Sequence, residues 1–372
     1  MCTNPRQIKN PNLGCKSLKF VDTTSQFIYV PCGKCDECVR LRQLFFVQRV
    51  QMEALENHMF FASLTYNNDM IPTLGLSNGF FVRYVDTKDF INMLKRLRVH
   101  NSFGRPFRFV AVTELGSERG RPHMHCIFFL PKYDGDSLPV LLDLEQRLFT
   151  SVLSQWKRNV SGSCSRYTEF KPLCTFVRKM VRGKIRSTYD LHYVNPVLSD
   201  GSDADVAFYV SKYMIKKSEK LVNLQRALRL NLPDEEYADV WKLVKPKWFA
   251  SPGFGLNSKF IRLNEYEPSP VVVDYIRGCV DFSRKYLDTP KFINPIDGST
   301  FPLGRYYINN PNCYTVSDQE FFYKKSVANG SKRADNMIIS DRDLSSILTS
   351  IDNSRLKMDS LEFDYDDFDE LF

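Results

Sequence analysis

The stretch RPHMHCIFF, residues 121–129, places two histidines one residue apart at the head of an apolar run. The chain holds only five histidines, so two of them on alternate positions of one run call for a reason. Side chains alternate across a β-strand, which puts His123 and His125 on one face and Met124 on the other. Just upstream, FRFVAVTEL (107–115) reads as a second strand. The joint between them, GSERGRP (116–122), has the glycine, proline and charge of a hairpin loop. In that hairpin Glu114 comes back opposite the histidines on the same sheet face, while Glu118 in the loop is the weaker carboxylate candidate. Two imidazoles and a carboxylate that leave positions open suit Mg2+ or Mn2+ in phosphate chemistry; Zn2+ also fits the imidazoles. The alternative is two ordinary surface histidines on a sheet.

Working outward, FFASLTY (60–66) is aromatic and β-branched and is bounded by NND, so it predicts a strand and a turn. Helical spacing runs through 39–58, 86–100 (with Asp86 or Thr87 as N-cap), 139–158, 202–220 and 235–244. Residues 160–200 are basic and poorly patterned and predict loop with short strands. After residue 270 the pattern weakens, although 340–361 can form a helix. Hairpin strands interleaved with helices predict an α+β fold around a central antiparallel sheet.

Within 202–220, the run FYVSKYMIKK (208–217) separates cleanly on a helical wheel. Val206, Ala207, Val210 and Met214 form an apolar face. Tyr209, Lys212, Tyr213 and Lys216 form an adjoining one. A tyrosine can act as a covalent nucleophile, but its ordinary pKa near 10 means that it needs a neighbouring cation to favour the phenolate. The alternative is ordinary amphipathic decoration of a half-buried helix.

Composition bounds the partners. The net charge is +8, and the body stands at +15 once the seven acids of the tail 359–372 are set aside. A basic body of this kind points to a polyanion, nucleic acid above all. Arg178, Lys179, Arg182, Lys184 and Arg186, within VRKMVRGKIR (177–186), are the strongest candidates for DNA contact. Ten cysteines are expected to be reduced or to hold metal. Cys32, Cys35 and Cys38 are packed into VPCGKCDEC (30–38), and Cys2 or Cys15 can complete a four-thiolate structural zinc site. No apolar run is long enough to span a membrane, and residues 1–12 lack the apolar core of a secretory signal, so the expected compartment is a cytoplasm. The acidic, aromatic tail is too charged to fold alone.

The order of these motifs resembles the HUH endonucleases, the rolling-circle replication initiators. In that resemblance His123-Met124-His125 is the histidine–hydrophobic–histidine motif, Phe61–Tyr66 looks like the first motif, and Tyr209 and Tyr213 flanking Lys212 look like the paired-tyrosine motif. The cysteine arm, LTYNND and SPGFG (251–255) together look like the initiators of small single-stranded DNA phages, the gokushovirus branch of the microviruses. The resemblance covers residues 30–255. It implies a metal-bearing hairpin of Glu114, His123 and His125, with Mg2+ or Mn2+ as cofactor and a tyrosine helix lying across the site. It also implies nicking of a double-stranded phage origin through a 5′-phosphotyrosine, extension by a host polymerase with a helicase, and rejoining of the displaced strand in the host bacterial cytoplasm. The expected organisation is a cysteine-rich arm (1–38), a nuclease domain (39–265), a region of unknown role (266–358) and the acidic tail (359–372). A non-enzymatic zinc-bearing DNA-binding regulator, or a transposase or relaxase with the same metal hairpin, are the rival readings.

Overall fold

The computed structural model describes residues 2–14, 24–116, 120–161, 169–181, 184–187, 189–194, 207, 210–211, 219–262, 265–296 and 298–336. A hairpin of β1 (Arg6–Lys9) and β2 (Phe27–Val30) precedes helix α1 (Asp36–Ala54). Strand β3 (Asn57–Leu64) leads through a 3-10 turn (Asn68–Met70) to the small hairpin β4 (Thr73–Gly75) and β5 (Phe81–Arg83), then to α2 (Thr87–Val99). The hairpin β6 (Arg108–Leu115) and β7 (Pro122–Pro131) is followed by α3 (Leu138–Gln155). Next come β8 (Lys157–Asn159) paired with β9 (Phe170–Pro172), β10 (Arg178–Val181) paired with β11 (Lys184–Ser187), and β12 (Asp190–Val194). Helices α4 (Glu219–Asn231) and α5 (Asp234–Val244) lead to β13 (Trp248–Ala250) and the hairpin β14 (Lys259–Arg262) and β15 (Glu265–Glu267). The last part holds α6 (Pro270–Tyr286), β16 (Lys291–Ile293), β17 (Thr300–Pro302), α7 (Arg305–Ile308) and α8 (Val316–Asn336).

The α+β reading holds. A five-stranded antiparallel sheet in the order β12-β3-β7-β6-β13 forms the centre. Its middle strand, β7, is apolar almost throughout because helices cover both faces of the sheet. Met124, Cys126, Phe128 and Leu130 point to the face closed by Phe90, Met93, Leu94 and Leu97 of α2 and Leu144, Leu148 and Val152 of α3. Ile127 and Phe129 point to the opposite face, together with Phe61, Val110 and Val112, beneath Phe46, Val47 and Val50 of α1. Each such side chain contributes about 1.5–3 kcal/mol on full burial. Asp86 caps α2, accepting from the Lys88 backbone N–H at 2.9 Å, as one of the two sequence options required.

Two elements differ from the sequence expectation. β12 lies inside the stretch that predicted loop with short strands, and it joins the main sheet as an edge strand. The part after residue 270 is well structured: α6 buries Val272, Val273, Ile276 and Val280 against Phe292, Leu303 and Tyr307. Met52 of α1 belongs to that same cluster. The region 340–361 and the acidic tail lie outside the described residues.

Helix α1 is therefore buried on two sides, and its polar residues are inside with its apolar ones. Gln48 donates to the Pro302 carbonyl at 2.7 Å and accepts from the Gly304 N–H at 2.9 Å. Glu53, fully buried, forms an ion pair with Arg108 and accepts from the backbone N–H groups of Gly255 at 2.8 Å and Asn257 at 3.2 Å. The SPGFG motif is thus a docking turn for α1. Gly255 has φ +89°, and a Cβ there would lie 2.8 Å from Arg49 Cβ, so only glycine fits. The Arg49 guanidinium lies over the rings of Tyr306, Phe254 and Trp248 at 4.3, 4.8 and 5.3 Å.

Candidate metal and nucleic-acid site

The hairpin register sets Glu114 directly opposite His123, and Val112 opposite His125. All three polar side chains share the face that carries Val110, Val112, Ile127 and Phe129, as the alternation requires. Glu114 Oε2 lies 2.9 Å from His123 Nε2 and 3.1 Å from His125 Nε2. The two rings stand at 89° with their centres 4.9 Å apart.

The far nitrogen of each ring is held. His123 Nδ1 is 3.0 Å from the Arg121 carbonyl, which can only accept, so Nδ1 carries a proton and the ring is held with Nε2 towards Glu114. His125 Nδ1 is 3.1 Å from Ser63 Oγ on the neighbouring strand β3. Phe61, on the same face of β3, stacks on the His125 ring at 5.6 Å and 18°. Outer partners of this kind fix tautomer and ring direction at a metal ligand. Burial pushes His125 below its ordinary pKa against the pull of Glu114, which favours the neutral ligand form. For Glu114 burial acts upwards, but the hydrogen bonds and charges of His123 and His125 outweigh it and bring the carboxyl down to about 2. Two imidazole nitrogens and a carboxylate oxygen, all facing one point, form a donor set that fits a divalent cation.

Arg121 ties the hairpin to the turn after β3. Its guanidinium donates to Asn68 Oδ1 at 2.7 Å and to the Tyr66 carbonyl. The sequence alone gives no signal for these roles of Ser63, Phe61 and Arg121. Ser63 and Phe61 are legible only once β3 is placed beside β7 in register. His192 on β12 is a further neighbour, 5.5 Å from the Phe61 ring.

The cysteine arm forms a second donor set. Ligand atoms of Cys2, Cys32, Cys35 and Cys38 all lie within 4.8 Å of one another. Cys2 thus takes the fourth place, and Cys15 lies outside the described residues. The Cys35–Cys2 and Cys32–Cys38 sulfurs are 3.8 and 4.0 Å apart. Zinc–sulfur bonds of about 2.3 Å in a tetrahedron set sulfurs roughly 3.8 Å apart, so the set fits zinc. Backbone N–H groups of Lys34 and Cys35 donate to Cys32 Sγ at 3.4 and 3.3 Å and push its pKa down. Backbone hydrogen bonding brings Cys35 to about 5, whereas burial raises Cys38 to about 12. Cys38 lies on α1, so the arm and the helix over the sheet are continuous.

Tyr209, Lys212 and Tyr213 lie outside the described residues. Their neighbours Ala207 and Val210 are buried in the cluster on the sheet face that bears the triad. Arg178 and Lys179 fall on β10 and Lys184 and Arg186 on β11, a two-stranded hairpin apart from the main sheet, and Arg182 lies outside the described residues.

Residues 59–218 match the family model of the ORF2-type replication-associated protein. That segment contains most of β3, the hairpin β6–β7 and the positions of both tyrosines. The chain is also 27% identical over 191 residues to Replication-associated protein ORF4 of Chlamydia phage 1. This match covers 50% of the chain and 38% of that protein, so the chain spans well under half of its curated relative. Both findings support the resemblance to a gokushovirus-type rolling-circle replication initiator. No solved structure matches. No described helix is long and apolar enough to cross a membrane.

Proposed function

We propose that the chain is a phage replication initiator that nicks a DNA origin at a specific phosphate through a tyrosine nucleophile and later rejoins the displaced strand. The observation that carries this reading is the convergence of Glu114 Oε2, His123 Nε2 and His125 Nε2 on one point of the sheet, inside the segment of replication-associated type. These three residues hold Mg2+ or Mn2+, which supplies Lewis acidity at the scissile phosphate. Arg121 and Ser63 keep the two imidazoles aimed, so the ligands are set before DNA arrives.

In the reaction, the phenolate of Tyr209 or Tyr213 attacks phosphorus. A tyrosine Oη–P bond forms, the P–O3′ bond breaks, and the 3′ oxygen leaves as a hydroxyl after taking a proton. The 5′ phosphate stays on the protein. A host polymerase, with a helicase, extends the free 3′ end in the host bacterial cytoplasm. The second tyrosine cuts the regenerated origin after one round, and the first phosphotyrosine is resolved by the new 3′ hydroxyl, closing a circle. Lys212 steadies the phenolate. Burial of Ala207 and Val210 in the cluster on the triad's face is the observation beside this reading of the tyrosine motif. Arg178, Lys179, Arg182, Lys184 and Arg186 add phosphate contacts.

The test is covalent trapping. Labelled single strands tiling the phage origin, incubated with protein and Mn2+, should give an adduct that survives SDS. Loss of the adduct only in the Tyr209→Phe, Tyr213→Phe double variant establishes interchangeable nucleophiles. Loss in one single variant names the nucleophile. No adduct with the native chain on any strand sinks the reading.

The cysteine set is proposed to hold one structural zinc, with no catalytic part because four thiolates leave no open position. Elemental analysis of protein purified without chelator should give one zinc per chain, falling below half for Cys35→Ser. An unchanged zinc content in that variant would rule out the assignment.

A further inference from the structure

Among the described residues, one face of the small hairpin β4–β5 has no packing partner. Leu74 and Val82 alternate inward and pack with Leu221 and Leu228 of α4, Leu232 of the turn after it and Val240 of α5. The register therefore sends Thr73, Phe81 and Arg83 outward together. With Asn68, Ile71 and Arg121 they line an open cleft of about 380 Å3, within the range of small-molecule sites.

Its chemistry is specific. Phe81 is 45% exposed, on the face opposite the buried Val82, so its ring is open to a ligand. The Arg83 guanidinium stands 6.0 Å from the Phe81 ring centre, at the outer limit of a cation–π contact, so it borders the ring without covering it. Among the described residues Arg83 has no carboxylate partner. Asn68 accepts from Arg121 through Oδ1, which leaves its amide N–H groups as donors. The cleft thus offers an aromatic face, two guanidinium groups and an amide. It also abuts the triad, because the Arg121 that lines it is the residue whose carbonyl holds His123.

We propose that this cleft seats one unpaired nucleotide of the strand to be cut, the base stacked on Phe81 and its phosphate between Arg83 and Arg121. Stacking on an aromatic ring requires an unpaired base, so the cleft selects a melted strand over a duplex. The proposal rests on reading the triad as a nuclease centre, and it adds a clamp that fixes where along the strand the triad acts.

The test uses full-length protein without added Mg2+ or Mn2+ and without chelator, so that cleavage is not needed and the cysteine set is undisturbed. Fluorescence anisotropy with a labelled mixed-sequence single strand of about 20 nucleotides, and with the same sequence as duplex, gives the dissociation constants. Phe81→Ala should weaken single-strand binding about tenfold and leave duplex binding within about twofold. Arg83→Gln should weaken single-strand binding and flatten its salt dependence by about one phosphate contact. Thermal melts should match the native chain, since both side chains lie off the packed face. As a measurement free of variants, iodouracil-substituted single strand should photocrosslink to the peptide bearing Phe81. Native affinity of both variants, or crosslinks confined to other peptides, would overturn the clamp. If the clamp behaves as expected while no covalent adduct forms, the nuclease reading fails and the nucleotide site stands. If the adduct forms while both variants bind as the native chain does, the clamp fails alone.

Discussion

His125→Ala lowers origin-strand cleavage by about 10³-fold or more while single-strand binding without added Mg2+ or Mn2+ stays close to native. His125 is 4% exposed and is fixed on three sides, by Glu114, by Ser63 and by the stacked Phe61 ring. Alanine removes one of the three candidate ligand atoms, and among the described residues no fourth ligand atom joins this set. Lewis-acid stabilisation at a phosphate is worth several kcal/mol, and each ~1.4 kcal/mol is tenfold in rate. A cleavage time course in Mn2+ checks this, with circular dichroism melts to show that the sheet survives. A rate within tenfold of native would mean that the metal sits elsewhere. His123→Ala is the companion: His123 is more exposed, so its removal disturbs packing less and isolates the loss of the ligand.

The second large effect falls on stability. Glu53→Ala should destabilise the chain by about 3–5 kcal/mol, because it removes the carboxylate partner of Arg108, which keeps only the Ser258 and Pro252 carbonyls, and takes the acceptor from two backbone donors. In a protein of this size that lowers the melting temperature by roughly 4–6 °C. Glu53→Gln keeps an acceptor oxygen for Gly255 or Asn257 and should cost less than alanine. Differential scanning calorimetry ranks the three proteins. Equal melting temperatures for alanine and native would show that the turn at 251–257 docks on α1 without needing the carboxylate.

The sheet and its metal hairpin are legible in the sequence because period-two alternation is local: once 107–115 and 122–131 are strands joined by a short loop, register alone brings Glu114 to His123. What the sequence hides depends on contacts distant along the chain. The Gln48 side chain reads as the solvated face of an amphipathic helix until Pro302 and Gly304, more than 250 residues on, are placed against it. Helix α6 does carry Val272, Val273, Ile276 and Val280 at helical spacing, a local signal that the reading of a weakening pattern after residue 270 passed over. β12 escapes notice because an edge strand of five residues, DLHYV, carries Leu191 and Val194 on opposite faces and shows no clean alternation. The nucleotide cleft is unreadable because Phe81 and Arg83 look like any strand residues until Leu74 and Val82 are seen to take the inner face.

The double burial of α1 has a consequence for how the chain is made. The face of α1 that carries Gln48 and Met52 finds its cover in Phe292, Pro302, Leu303 and Tyr307. Ribosomes add about 5–20 residues per second, so roughly 250 residues separate the two partners by some 10–50 s of synthesis. Once β3, β6 and β7 have followed, α1 can dock on the growing sheet by its other side, while the face with Gln48 and Met52 stays bare. Nascent-chain occupancy by a host chaperone should therefore rise as α1 emerges and fall only when α7 has left the ribosome.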